Sequence, residues 1–187
     1  MRCRAPYAVV DVETTIGDPC HGRITEIAVL LTDGRVELGR WSTLVQPQAP
    51  LNAFVTTLTG ITEELLADAP TFAQVLDVVN ELTEGATIVA HNARFDLTAL
   101  QASFARCGRV FERESLCTEQ LSRQFFPHLR FHNLNSLCRH IGVAHRGNHR
   151  ALGDALACKL AFVGLVERFG EERVNAASMP HLVRLSA

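Results

Sequence analysis

Apolar positions along this chain change period as it proceeds. From Tyr7 to Thr15 the run Ala8, Val9, Val10 and Val12 is β-branched and nearly continuous, as in a buried strand. Arg23 to Leu31 and Arg35 to Val45 are two further strand-like runs, joined by Thr32-Asp33-Gly34. Asp-Gly between apolar runs signals a hairpin, so three sequential antiparallel strands are predicted. Pro47 to Ala53 reads as a loop, and the stretch from Phe54 to Thr62 follows with no element assigned to it. Thr62 then caps a short helix, and Thr71 caps another with Phe72, Val75, Leu76, Val79 and Leu82 at helical spacing, ended by Gly85. Thr87 to Ala90 is a short buried strand leading through His91-Asn92 into a helix that carries Leu97, Leu100 and Phe104. Leu116 to Thr118 is a short strand or turn before a helix that Pro127 stops. Asn133 to Ile141 is a helix, and Asn148 is placed to cap the last long one, Arg150 to about Arg168. Strands alternating with helices after residue 87 predict a parallel part to the sheet. No repeat or linker divides the chain, so one domain over 1–187 is expected, with its core at about 7–169 and a tail at 170–187.

Composition narrows this picture without changing it. At 187 residues and 47% hydrophobic the chain is long enough for one good core. No apolar run approaches the roughly 20 residues that span a bilayer, so no membrane association is expected. Arg2 and Arg4 precede a short apolar run, but Asp11 and Glu13 break it, which does not read as a signal peptide. The six cysteines form no Cys-x-x-Cys pair and read as reduced thiols in a cytoplasmic setting, not as a zinc site. The net charge of −2 hides an asymmetry: residues 1–105 hold 6 Arg against 13 acids, and residues 106–150 hold 8 Arg against 3. That split suits an acidic floor beside a basic wall for phosphates, although most single arginines read as solvated helix surface.

The acids inside apolar elements carry the chemistry. Asp11 and Glu13 are two apart on a strand and so share one face. Two like charges there repel unless a cation or proton lies between them, and oxygen ligands suit Mg²⁺ or Mn²⁺. A strand end where both acids reach water is the alternative, and this stretch alone does not choose. Glu26, the one acid inside the second strand, reads as outward-facing or at an edge. Asp96 opens a helix, where a carboxylate favours the dipole. Asp154 interrupts the apolar run Ala151, Leu152, Ala155 and Leu156. His149 lies five residues before it, about 140° around a helix, so the two converge only if His149 stands at the helix start. Gly153 in that helix suggests a close backbone approach.

Three stretches taken together resemble a known signature: Asp11-Val-Glu13-Thr14-Thr15, then His91-Asn92-Ala93-Arg94-Phe95-Asp96, then His149-Arg150-Ala151-Leu152-Gly153-Asp154. This is the pattern of the DEDDh, DnaQ-like 3′→5′ exonucleases, which include the epsilon proofreading subunit of bacterial DNA polymerase III. The segments Leu58 to Thr62 and Leu134 to Cys138 resemble that family too, so the likeness runs from Tyr7 to Phe169. It implies an α/β fold of RNase H-like type, with three antiparallel strands, shorter parallel strands and flanking helices. It implies metal-dependent hydrolysis at single-stranded 3′ ends, DNA favoured, releasing nucleoside 5′-monophosphates in proofreading or repair. Two Mg²⁺ or Mn²⁺ ions would be held by Asp11, Glu13, Asp96 and Asp154, and His149 would be the general base, an imidazole having an ordinary pKa of about 6.5. Thr14, Phe54, Leu58, His91, Asn92 and Arg150 are the implied substrate-binding residues, with core packing or turn formation the plainer reading for Phe54, Leu58, His91 and Asn92. Phe95 reads as core. The other readings are an exoribonuclease of the same family and a non-catalytic nucleic-acid or polymerase-binding module. A replicative polymerase subunit is an implied partner, although epsilon subunits generally carry a longer C-terminal tail than the twenty or so residues after the last motif helix; Met179 to Val183 is the stretch there that a partner would meet, with packing on its own domain the favoured reading. The family usually has Gly where Ile16 stands, and often an acid where Leu116-Cys117 stands; neither change removes a ligand.

Overall fold

The computed structural model describes residues 6–145 and 149–177. Three strands open the chain: β1 (Tyr7–Thr14), β2 (Ile24–Thr32) and β3 (Glu37–Leu44). Two short ones follow, β4 (Thr87–Ala90) and β5 (Ser115–Cys117). They form one sheet in the order β3-β2-β1-β4-β5. β1, β2 and β3 pair antiparallel, and β4 and β5 join in parallel, the mixed sheet that the sequence predicts. The helices are α1 (Ala53–Thr59), α2 (Glu63–Leu66), α3 (Phe72–Thr83), α4 (Ala93–Arg106), α5 (Thr118–Phe125), α6 (Leu134–Ile141), α7 (Ala151–Phe169) and α8 (Glu171–Ala177).

Alternation along β1 sorts the core into two layers. Ala8, Val10 and Val12 face one side, packing with Ile27, Val29, Leu97, Leu100 and Phe104 under α3 and α4. Tyr7 and Val9 face the other, packing with Ala28, Leu30, Ala155, Cys158, Phe162 and Leu165 under α7. The period of two therefore sends Asp11 and Glu13 to the α7 side. There α7 presents Ala151, Ala155, Ala157 and Ala161, all buried, and small side chains let a helix lie close to a sheet. Lys159 Nζ ties the middle of α7 to Glu37 Oε2 on β3 at 2.8 Å. α8 docks onto β1 through the Tyr7 hydroxyl, which donates to Glu171 Oε1 at 2.7 Å, and through buried Val174.

Several local readings are refined by the structure. Thr62 Oγ1 accepts from the Leu65 amide as the cap of α2, and Gln74 Oε1 accepts from the Thr71 amide at the start of α3. The stretch after Ala53, to which the sequence assigns no element, forms helix α1 (Ala53–Thr59), capped by Asn52 and closed by Gly60 at φ 69°. Its Val, Thr and Phe content is a poor helix signal, and the Asn52 cap outweighs it. Gly153 makes no close approach: a Cβ there would meet nothing within 4 Å. Asn148, expected to cap α7, lies outside the described residues, as does the segment from Met179 to Val183.

Candidate active site

β1 outruns its parallel neighbour. Its pairing with β4 stops at Val9–Val89, because the chain turns away after Ala90. Beyond the Val9–Val89 pair β1 has no strand partner on its β4 side. The turn is made by Asn92 in the left-handed region, φ 60°, a conformation Asn tolerates, with its carbonyl accepting the Phe95 amide at 2.8 Å. This turn brings the first turn of α4 back against β1, and Asp96 Oδ1 accepts the Val12 amide at 3.0 Å. A carboxylate from a different segment thus completes the strand's hydrogen bonding, and Asp96 is 3% exposed. Phe95 packs partly buried against the α3–α4 core layer, as expected.

Asp11 and Glu13 lie on the other face, where Asp154 in the first turn of α7 meets them. Carboxylate oxygens of the three lie within 4.8 Å of one another. Among the described residues Asp154 Oδ1 is buried without a hydrogen-bond partner, although His145 Nε2 stands 3.4 Å away as a looser ion-pair contact. Burial, compounded by Asp96, Asp154, Glu13 and Glu26, pushes the Asp11 carboxyl well above the ordinary range. Burial and the charge of Asp154 raise Glu13 to about 8, with Arg150 opposing. Burial raises Asp96 to about 8 against the Val12 hydrogen bond, which favours the charged form. Asp154 is raised by burial, and the nearby His145 and His149 pull it back. Carboxylates crowded like this, one with an unsatisfied buried oxygen, are the donor set of a hard divalent cation.

His149 stands just before α7, exposed, with its backbone at φ 43°. His145, which no ligand spacing in the sequence marks, is the histidine whose ring touches Asp154. A revision concerns Glu26, expected outward or at an edge. It is 6% exposed, accepts from Arg150 Nε at 3.0 Å and Nη2 at 2.8 Å, and accepts from the Ala151 amide at 2.9 Å. The cap of α7 is therefore a carboxylate from β2. Arg150 commits two of its nitrogens to that pair.

The remaining expected contacts fall around this centre. The Thr14 hydroxyl is buried and donates to the Ile16 carbonyl at 2.7 Å, so it shapes the turn after β1. The Asn52 amide donates to the Thr15 carbonyl at 3.0 Å, which fastens the start of α1 to the end of β1. On α1, Phe54 is 72% and Leu58 41% exposed, so neither is core. His91 is held through Nδ1 to Thr118 Oγ1 at 2.9 Å, and burial lowers its pKa to about 4, leaving a neutral ring that braces β4 against α5. The arginines between 106 and 150 are largely occupied by the protein itself: Arg106 with the Cys20, His21 and Gly22 carbonyls, Arg113 with Thr83 and Asn80, Arg123 with Glu119.

Comparison with known proteins agrees with this geometry. A family model described as Exonuclease, RNase T type, matches residues 8–162. The DNA polymerase III PolC-type protein of Caldanaerobacter subterraneus is 33% identical over 172 residues, which is 92% of this chain and 12% of that protein. A DNA polymerase III subunit epsilon-like protein of Rhodobacter capsulatus is 38% identical over 165 residues, 86% of this chain and 23% of that one. The chain thus spans only a small part of these relatives. Among solved structures, Exonuclease X in complex with 5′ overhanging duplex DNA aligns with a TM-score of 0.73 at 25% identity, over 92% of this chain and 99% of that one. E. coli Exonuclease I in complex with a dT13 oligonucleotide aligns at 0.79 over 92% of this chain and 43% of that one; at 19% identity that likeness concerns the fold. Among the described residues no helix is long and apolar enough to cross a membrane.

Proposed function

This chain belongs to the DEDDh, DnaQ-like exonuclease family, a family of metal-dependent hydrolases, and from that premise we propose that it removes nucleotides from single-stranded 3′ ends of DNA, in proofreading or repair. The observation that carries the reading is the convergence of Asp11, Glu13 and Asp154 within 4.8 Å, beside Asp96 fixed to the same strand. Two Mg²⁺ or Mn²⁺ ions held by these four acids would supply a stronger nucleophile at neutral pH and charge stabilisation at the attacking and leaving oxygens. The chain's own groups do the rest. His149, exposed beside α7 and close enough to act on the charge of Asp154, takes the proton of the attacking water. Its exposure leaves the ring free to meet substrate, and geometry of this kind tightens when substrate binds. Phe54 and Leu58 offer an apolar face, fastened to the end of β1, on which the terminal bases stack. Thr14 ties the turn that follows β1 through the Ile16 carbonyl, and His91 and Asn92 hold Asp96 in register. DNA is favoured over RNA by the polymerase III relatives, and a polymerase subunit is the partner they suggest.

The test is a time course on 5′-labelled single-stranded DNA and matched RNA, with Mn²⁺, Mg²⁺ or EDTA, and an Asp11→Ala variant as control. A metal-dependent ladder shortening from the 3′ end, absent in the variant and faster on DNA, is expected. Faster RNA cleavage would reassign the substrate. Intact polymers from folded protein under every metal would leave a binding module instead.

A further inference from the structure

Glu26 is the buried charged group at this site that the proposed chemistry leaves idle. It stands on β2 directly opposite Glu13 in the β1–β2 register, so both carboxylates lie on the α7 face. Like charges so placed repel, and a neutral residue would serve a strand better. What Glu26 does instead is grip two consecutive residues: Arg150 through Nε and Nη2, and Ala151 through its amide. Those two residues immediately follow His149, whose φ of 43° is a strained value for a residue with a side chain. Strain of this kind persists only where neighbouring contacts enforce it. The clamp supplies that enforcement from the C-terminal side.

We propose that Glu26 is a positioning residue that sets where His149 stands relative to the Asp11–Glu13–Asp154 cluster. One carboxylate on β2 faces an acid of β1 across the sheet and holds the backbone next to the base, so the two halves of the site are registered to each other through it. Bidentate pairing fixes the plane of the Arg150 guanidinium, and the amide bond fixes the first peptide of α7, which leaves His149 little freedom of direction. The inference rests on His149 acting as the base.

The test is a double-mutant cycle on the full chain, with labelled single-stranded DNA at saturating Mn²⁺. Glu26→Gln keeps the volume and one acceptor but loses the charge. It is expected to lower kcat by about 10- to 100-fold, with KM changed by less than about threefold. In a His149→Ala background the same substitution is expected to cost less than about threefold, because the group it positions is gone. A purely structural Glu26 gives a lower Tm with kcat per folded molecule unchanged, or the same loss in both backgrounds; either result overturns the proposal. Where Glu26→Gln does not fold, Arg150→Lys is read in the same cycle, since it retains the charge and the Ala151 bond but breaks the fork. An inactive wild type, or a His149→Ala variant with full activity, removes the base reading and this inference with it. A normal His149→Ala loss beside a fully active Glu26→Gln removes this inference alone.

Discussion

The two halves of the site are held in opposite ways. The acid floor is built from backbone geometry: strand alternation places Asp11 and Glu13, and Asp96 is bonded to the amide between them. The histidine side is built from side chains: His149 is exposed, its φ is positive, and its anchor is the Glu26 clamp on the residues after it. The floor carries repulsion that a cation or a proton relieves, and so needs a rigid frame. His149 as the proposed base has to face substrate, and a clamp on the two residues after it sets its direction while its side chain stays exposed. Stability is thus given up where charge is concentrated, while on the histidine side the backbone direction is fixed and only the exposed ring is left open to solvent.

The strongest way to break this comparison is to neutralise the floor. Asp11→Asn is expected to lower kcat by at least about a thousandfold, roughly 4 kcal/mol of barrier. The same change relieves buried like-charge repulsion, so the metal-free variant should melt higher than wild type at pH 8. A lower melting temperature there would show that the floor is not strained.

On the other side, His149→Ala should reduce kcat by about 100-fold or more and leave Tm within about 2 °C, since an exposed residue is being trimmed. Steady-state kinetics and calorimetry on one preparation separate the two quantities. A large drop in Tm would make the histidine side as structural as the floor.

A third prediction concerns pH and metal removal. Glu13 and Asp96 have folded pKa values of about 8, above the ordinary 4.5 and 3.8. Their contribution to metal-free stability is complete below about pH 4 and is lost as pH rises through about 8. Tm in EDTA should therefore fall from pH 5 to pH 9, while the increment given by Mn²⁺ grows across the same range. An increment independent of pH would contradict the crowding of the acids. The smallest effect is expected from Gly153→Ala: the added Cβ meets nothing, so α7 should gain about 1 kcal/mol, read as a rise of a few degrees in Tm.

The mixed antiparallel and parallel sheet was legible from the hairpin signal and the later alternation of strands with helices, whereas the four acids were gathered into one site only through the family resemblance. Period two put Asp11 and Glu13 on one face, and a helix start after a buried strand placed Asp96. Glu26 was not legible, because its meaning lies in Arg150, 124 residues away, and an acid in a strand alone reads as an edge. Helix α1 escaped because its residues favour strands and its cap is a single Asn. The exposure of Phe54 was hidden for the same reason: without the helix there was no face to assign it to. His145 lacked any spacing to Asp154 that differs from chance, and only folding brings the two within 3.4 Å.

The overhang of β1 beyond β4 has a consequence apart from catalysis. A half-paired strand in the middle of a sheet is an invitation to strand addition, by another copy or by a misfolding segment, because its amides point into an empty lane. Here Asp96 fills that lane at Val12, and a carboxylate accepts but cannot propagate a ladder. The Asp96 carboxylate, proposed as a metal ligand, thus also occupies a backbone donor that strand addition at β1 would need. Changing it therefore touches the solubility of the chain as well as its activity.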